Sequence, residues 1–166
     1  MNENVMVSVL IATYNHEKYI AKTIESALNQ KTNFDYEIVI HDDASTDRTQ
    51  QIIREYEKKY PDKIRTILQT ENQFSKCQVT TTYLYPQMKG RYFAMLDGDD
   101  YWIDENKLQC QVDFLEQHKD YSMCYHNAIK LNNETGEETL LNTFPEDGTY
   151  SQKEQILAGL GSNFPA

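Results

Sequence analysis

The chain has 166 residues, 39% of them apolar and 25% charged, which is the size and balance of one globular domain. Its 26 acidic residues outnumber 16 Lys and Arg, giving a net charge of −10 and a pI near 4.8. That charge excludes nucleic acid as a default partner and the simplest grip on anionic lipid. At a mean hydropathy of −0.72, no apolar run approaches the roughly 20 residues of a membrane helix.

Residues 5–12, VMVSVLIA, form a nearly continuous apolar run, which predicts a strand buried on both faces. The polar loop Thr13, Tyr14, Asn15, His16 follows, then a helix over 17–30 with Ile20, Ile24, Ala27 and Leu28 on one face. A second strand spans 36–41 and runs into Asp42, Asp43, Ala44, Ser45, Thr46 and Asp47. Taken alone, that acidic stretch also reads as a turn followed by a helix N-cap. The next helix carries Ile52, Ile53, Tyr56 and Tyr60, and Pro61 ends it. A weaker strand is expected at 64–68 and a helix at 79–89 that contains Pro86. A fourth strand at 91–96 leads into Asp97-Gly98-Asp99-Asp100, and a strong helix covers 105–118. A fifth strand is expected at 121–126, a polar turn at 132–139, and a last short helix from Ser151 with Glu154 at capping-box spacing.

Cys77, Cys110 and Cys124 are too few and scattered for a disulfide framework, and read as reduced thiols, with Cys110 packed in its helix. His41 and His126 read as packed or hydrogen-bonded rather than as metal ligands. The first residues, MNENVMVSV, do not form a signal peptide.

Strand–helix alternation predicts an α/β fold with a mostly parallel sheet flanked by helices, in which ligands bind beyond the carboxyl ends of the strands. Three polar clusters follow predicted strands: Thr13-Tyr14-Asn15, Asp42-Asp43 and residues 97–100. Carboxylates gathered at one edge repel one another, and a hard cation such as Mg²⁺ or Mn²⁺, arriving with substrate phosphates, relieves the conflict.

The stretches VSVLIATYNHEKYIAKTIESALNQ, YEIVIHDDASTDRT and GRYFAMLDGDDYWIDENKLQ together resemble family 2 of the inverting glycosyltransferases, with the Rossmann-like GT-A fold. The LDGDDYW run resembles bacterial members that build surface polysaccharides. The resemblance implies a nucleotide-diphosphate sugar donor, commonly a UDP-sugar, a carbohydrate or lipid-linked acceptor, and Mn²⁺ or Mg²⁺. It places Ala12, Thr13, Tyr14 and Asn15 beside the nucleotide, with Tyr14 near the uracil face. It makes Asp42 or Asp43 the acceptor for a base N–H, and Asp97 and Gly98 donor contacts. It gives Asp99, Asp97 or Asp100 to the metal. The Arg that many members carry before the fourth strand has no counterpart in residues 72–82; Lys76 is the one basic substitute, and otherwise a surface lysine.

The family's general base is expected beyond Ala166. The chain therefore reads as one donor-binding domain, the N-terminal part of a longer catalytic domain. Cytoplasmic placement is expected, with peripheral attachment at the inner membrane for the full-length protein. The alternative is a catalytically inactive nucleotide-sugar-binding module. A receiver-type signalling domain fits less well, because its acidic pair follows the first strand, and no G-x-G-x-x-G supports a dinucleotide enzyme.

Overall fold

The computed structural model describes residues 5–76 and 78–141. These fall into two compact units, divided after Asp120. The first holds strands β1 (Val5–Thr13), β2 (Asp35–Asp42), β3 (Ile64–Leu68) and β4 (Tyr92–Asp97), with helices α1 (Ile20–Leu28), α2 (Thr49–Lys59) and α3 (Lys107–Gln117). Its four strands form one sheet in the order β3-β2-β1-β4, every pair parallel.

The central strands are the most apolar because both their faces are covered. Val7, Val9 and Ile11 of β1, with Ile38 and Ile40 of β2, pack against Ile20, Ile24 and Ala27 of α1, Ile53 of α2, and Leu108 and Val112 of α3. On the opposite face Leu10 and Val39 meet Leu84, with Ala12, Ile67, Met88 and Met95 around them. The cover there is short. The helix expected over 79–89 is a π-helical turn, Thr80–Leu84, followed by a 3₁₀ turn, Tyr85–Gln87. Pro86 has no N–H to continue an α-helical ladder, so the segment breaks into these pieces.

Glu37 on this second face is buried but satisfied. It accepts from Ser8 Oγ at 2.7 Å, from the Lys89 N–H at 2.8 Å and from Arg65 at 3.0 Å. Gly90 seats its N–H on Ser8 Oγ at 2.8 Å, and a Cβ there would lie 2.4 Å from the Ser8 nitrogen.

The second unit differs from the sequence expectation. Residues 121–126 form no strand; instead β5 (Ile129–Leu131) and β6 (Glu138–Leu140) make an antiparallel hairpin. The expected polar turn supplies its connection, where Asn132 Oδ1 accepts the Glu134 N–H at 2.9 Å and Gly136 takes a φ of 72°. Hairpin strands of three residues, all exposed, carry too little apolar pattern to read in advance. The helix expected from Ser151 lies outside the described residues. Among the described residues, no helix is long and apolar enough to cross a membrane.

Candidate functional site

The parallel register brings the three polar clusters to one edge. Ala12 pairs with His41 on one side and with Asp97 on the other, so β1, β2 and β4 end together. Main-chain bonds continue past the strands: the Asp43 N–H donates to the Thr13 carbonyl at 3.0 Å, and the Gly98 N–H to the Ala12 carbonyl at 2.9 Å. Tyr14, 44% exposed, projects at this edge.

The two loops after β1 and β2 are stitched together. Asn15, at a φ of 56°, donates its N–H to Ser45 Oγ at 2.8 Å, and its Oδ1 accepts the Thr46 N–H at 2.8 Å. The His16 N–H donates to Thr49 Oγ1 at 2.8 Å. The Glu17 N–H donates to Asp47 Oδ2 at 3.1 Å, while Glu17 Oε2 accepts the Arg48 N–H at 3.0 Å. Asp47 Oδ1 also accepts the Thr49 N–H at 2.9 Å from one position before the N-cap of α2, which is Arg48 and makes no side-chain capping bond. Hydrogen bonds from Thr49 and from the Glu17 backbone hold the Asp47 carboxyl below its usual range, against an opposing desolvation.

The acidic pair divides its work. Asp42 is fully buried; its Oδ1 accepts the Ser45 N–H at 2.9 Å and Gln50 Nε2 at 2.6 Å, and its Oδ2 accepts the Ser45 hydroxyl. Asp43 turns to the segment that follows β3, accepting the Gln73 N–H at 2.7 Å and the Phe74 N–H at 3.0 Å. Its carbonyl accepts Asn72 Nδ2 at 3.2 Å. The segment lacking the expected Arg is therefore docked on Asp43. Lys76 pairs with Glu71 at 2.9 Å, as a surface lysine would.

Gly98 opens the acidic loop. A Cβ there would lie 2.4 Å from Thr13 Oγ1 and 2.8 Å from His16 Nδ1, so only glycine lets these side chains close over the turn. The Gly98 carbonyl accepts Thr23 Oγ1 at 3.0 Å from α1, and the Asp100 N–H closes the turn on the Asp97 carbonyl at 3.0 Å. Asp97 and Asp100 are held above the ordinary carboxylate range, first by desolvation and then by the neighbouring charge of Asp99. A cation reverses that penalty. Among the described residues, no three acidic, His or Cys side chains are assembled around one point. The donors present, all oxygen, fit a hard cation that takes one or two carboxylates and fills its sphere with phosphate and water.

Other sequence expectations resolve as packing. His41 is fully buried and stacks on Tyr83 with ring centroids 5.0 Å apart. His126 Nδ1 lies 2.7 Å from the Asn127 carbonyl. Trp102 is buried beside Lys107, whose Nζ lies 4.3 Å from the ring centroid. Cys110 is a free thiol, exposed on α3 rather than packed. Sequence reasoning missed Glu17, Thr49 and Gln50, and it read Ser45 and Asp47 as turn and cap residues rather than as side chains that stitch the loops. Their legible signal was the S-x-D-x-T run at a helix start.

Known proteins bear on this edge. The family model described as Glycosyl transferase family 2 matches residues 8–164. The chain belongs to that family. A relative in Escherichia coli, named UDP-Glc:alpha-D-GlcNAc-diphosphoundecaprenol beta-1,3-glucosyltransferase WfaP, is 39% identical over 115 residues, covering 69% of this chain and 43% of its own. The crystal structure of S. aureus TarS 1-349 in complex with UDP-GlcNAc is 28% identical at a TM-score of 0.58, covering 76% of this chain and 34% of that one. The mannosyltransferase PcManGT from Pyrobaculum calidifontis, in complex with GDP-Man and Mn²⁺, is 25% identical at a TM-score of 0.56, covering 66% of this chain and 32% of that one. The chain spans less than half the length of each of these proteins. The sheet is that of the GT-A glycosyltransferases, as expected.

Proposed function

We propose that the chain binds the donor of an inverting sugar transfer, a UDP-sugar, across the carboxyl ends of β1, β2 and β4. The observation that carries this reading is the register that gathers residues 12–15, 42–43 and 97–100 at one edge. Tyr14 offers an exposed ring to a flat base, and stacking on it needs no hydrogen-bond code. Asp42 is committed inside its loop, which leaves Asp43 as the acceptor for a base N–H: each of its oxygens accepts one N–H and keeps a lone pair. Thr13, Asn15 and Gly98 shape the floor on which the ribose and diphosphate lie.

Asp97 and Asp99, with Asp100 adjacent, are the residues that would hold a divalent cation, Mn²⁺ or Mg²⁺. Held there, the cation would supply positive charge to offset the negative charge of a departing nucleoside diphosphate. The acceptor, a carbohydrate or lipid-linked saccharide in surface-polysaccharide synthesis, and the general base that deprotonates it are proposed to belong to the remainder of the catalytic domain. General-base catalysis is worth about 10²- to 10⁴-fold in rate.

The test is a titration of UDP followed by thermal unfolding, with Mn²⁺ and with EDTA. At 100 times its Kd, UDP stabilises the fold by about 2.7 kcal/mol. Equal affinity with Mn²⁺ and EDTA would remove the cation from the reading. No stabilisation by any nucleotide would remove the donor site.

A further inference from the structure

His16 joins the three loops at the site, and no step proposed so far uses it. Its backbone is fixed from two sides. The N–H donates to Thr49 Oγ1 at 2.8 Å, and the carbonyl accepts the Tyr19 and Ile20 N–H groups at 2.9 Å each. The ring lies against Gly98, where a Cβ would lie 2.8 Å from Nδ1. Nδ1 lies 3.1 Å from Thr13 Oγ1, and Nε2 lies 3.9 Å from Asp99 Oδ2.

One tautomer of the neutral ring suits both neighbours. If Nδ1 carried the proton, the Nε2 lone pair would face a carboxylate. If the Thr13 hydroxyl donates to Nδ1, Nε2 carries the proton and presents it to Asp99. Asp97 and Asp100 also lie within electrostatic reach of the same ring. At 3.9 Å the contact is longer than a hydrogen bond, and a side-chain rotation of the half-exposed Asp99 or one bridging water closes it.

We propose that His16 is a positioning residue for the divalent cation: its Nε2–H holds Asp99 by Oδ2 and so turns the other carboxylate oxygen toward the ion. This rests on the reading of residues 97–100 as the cation site. The physical reason is general. A flexible carboxylate on a glycine-containing turn loses rotamer freedom when it binds an ion, and a fixed N–H donor removes that freedom beforehand. Such outer contacts are typically worth about 10- to 100-fold in metal affinity. The chain Thr49–His16–Asp99 also makes α2, which approaches no cation itself, part of the support.

The test compares the wild type, His16→Ala and His16→Gln. Both variants keep the backbone bonds that fix residue 16, and circular dichroism checks that they fold. Free Mn²⁺ is followed by electron paramagnetic resonance in the presence of UDP, and UDP affinity is measured by calorimetry in Mn²⁺ and in EDTA. The expected result is a loss of about 10-fold or more in Mn²⁺ affinity for His16→Ala, with UDP affinity in EDTA unchanged. Glutamine places an N–H near the position of Nε2, so His16→Gln is expected to recover most of the loss. An equal fall in Mn²⁺ and in EDTA, no fall in either, or no recovery by glutamine would overturn the assignment of His16 while leaving the cation site standing. A wild type whose UDP binding gains nothing from Mn²⁺ would overturn the cation site itself, and the inference with it.

Discussion

Replacing Asp42 by asparagine separates a loop-building carboxylate from a base-reading one. Asp42 accepts three hydrogen bonds, from the Ser45 N–H, the Ser45 hydroxyl and Gln50 Nε2, and is fully buried. Asparagine keeps the shape, but one of its two positions becomes an N–H donor. The better orientation keeps the oxygen toward the Ser45 N–H and Gln50, and turns the new N–H toward Ser45 Oγ. That oxygen already accepts the Asn15 N–H at 2.8 Å, so its own proton must find another acceptor. Three charge-assisted bonds become neutral ones, each weaker by about 1 kcal/mol, so the expected cost is roughly 2–3 kcal/mol. For a chain of this size that lowers Tm by roughly 4–12 °C. Urea unfolding at an unchanged m-value measures the cost. The preference for UDP over GDP should remain, because no Asp42 oxygen is turned outward. Native stability with a lost UDP preference would refute the argument and make Asp42 the base reader.

Two further substitutions address titrating groups. Desolvation and Asp99 hold Asp97 above the ordinary value of 3.8, so the folded chain keeps that proton to higher pH than the unfolded chain does. Stability from this group is full below 3.8 and is lost as pH rises from there through the higher folded value, so Asp97→Asn should raise Tm at pH 7 in EDTA and lower it, relative to wild type, in Mn²⁺ with UDP; a variant less stable than wild type in EDTA would contradict this. Burial lowers the pKa of His41 from 6.5 despite the opposing charges of Asp43 and Asp42. Below about pH 6.5 the unfolded chain takes up a proton that the folded chain refuses, so stability falls as pH drops, by at most about 1.4 kcal/mol per unit from one histidine. His41→Phe keeps the stack on Tyr83 and should flatten the pH 7 to 5 slope of unfolding free energy; parallel slopes would count against it.

Much of the first unit was legible because its signals are local. The apolar runs at β1 and β2 bury nearly every interior side chain, as central parallel strands do. The clusters at the carboxyl ends followed from topology alone. Pro86 could be seen to threaten a helix, but not to leave a π-helical turn in its place. The hairpin β5–β6 was hidden because register in short exposed strands comes from the turn rather than from alternation. At the site, the sequence could name Asp42 and Asp43 but not divide them. Which carboxylate turns inward depends on Gln50, Gln73 and Phe74, partners 8 to 31 residues away whose positions exist only once the chain has folded. His16 was visible only as a polar loop residue; its reach to Asp99 spans 83 positions of sequence.

The stitching of the first two loops has a consequence for which positions tolerate change. Nearly every bond across that seam joins a side chain on one loop to a main-chain N–H on the other. A main-chain donor is supplied by any residue except proline, so the donor's own side chain is free to vary. The constraint is therefore mostly one-sided: Asn15, Glu17, Ser45, Asp47 and Thr49 must keep their oxygens, Arg48 can drift, and Thr46 gives up only a long 3.3 Å hydroxyl bond to Asn15 Oδ1. Paired substitution cannot repair such a seam, because the second partner has no side chain in the bond to adjust. A saturation scan should find the five acceptors intolerant, and Thr46 and Arg48 permissive to nearly everything but proline.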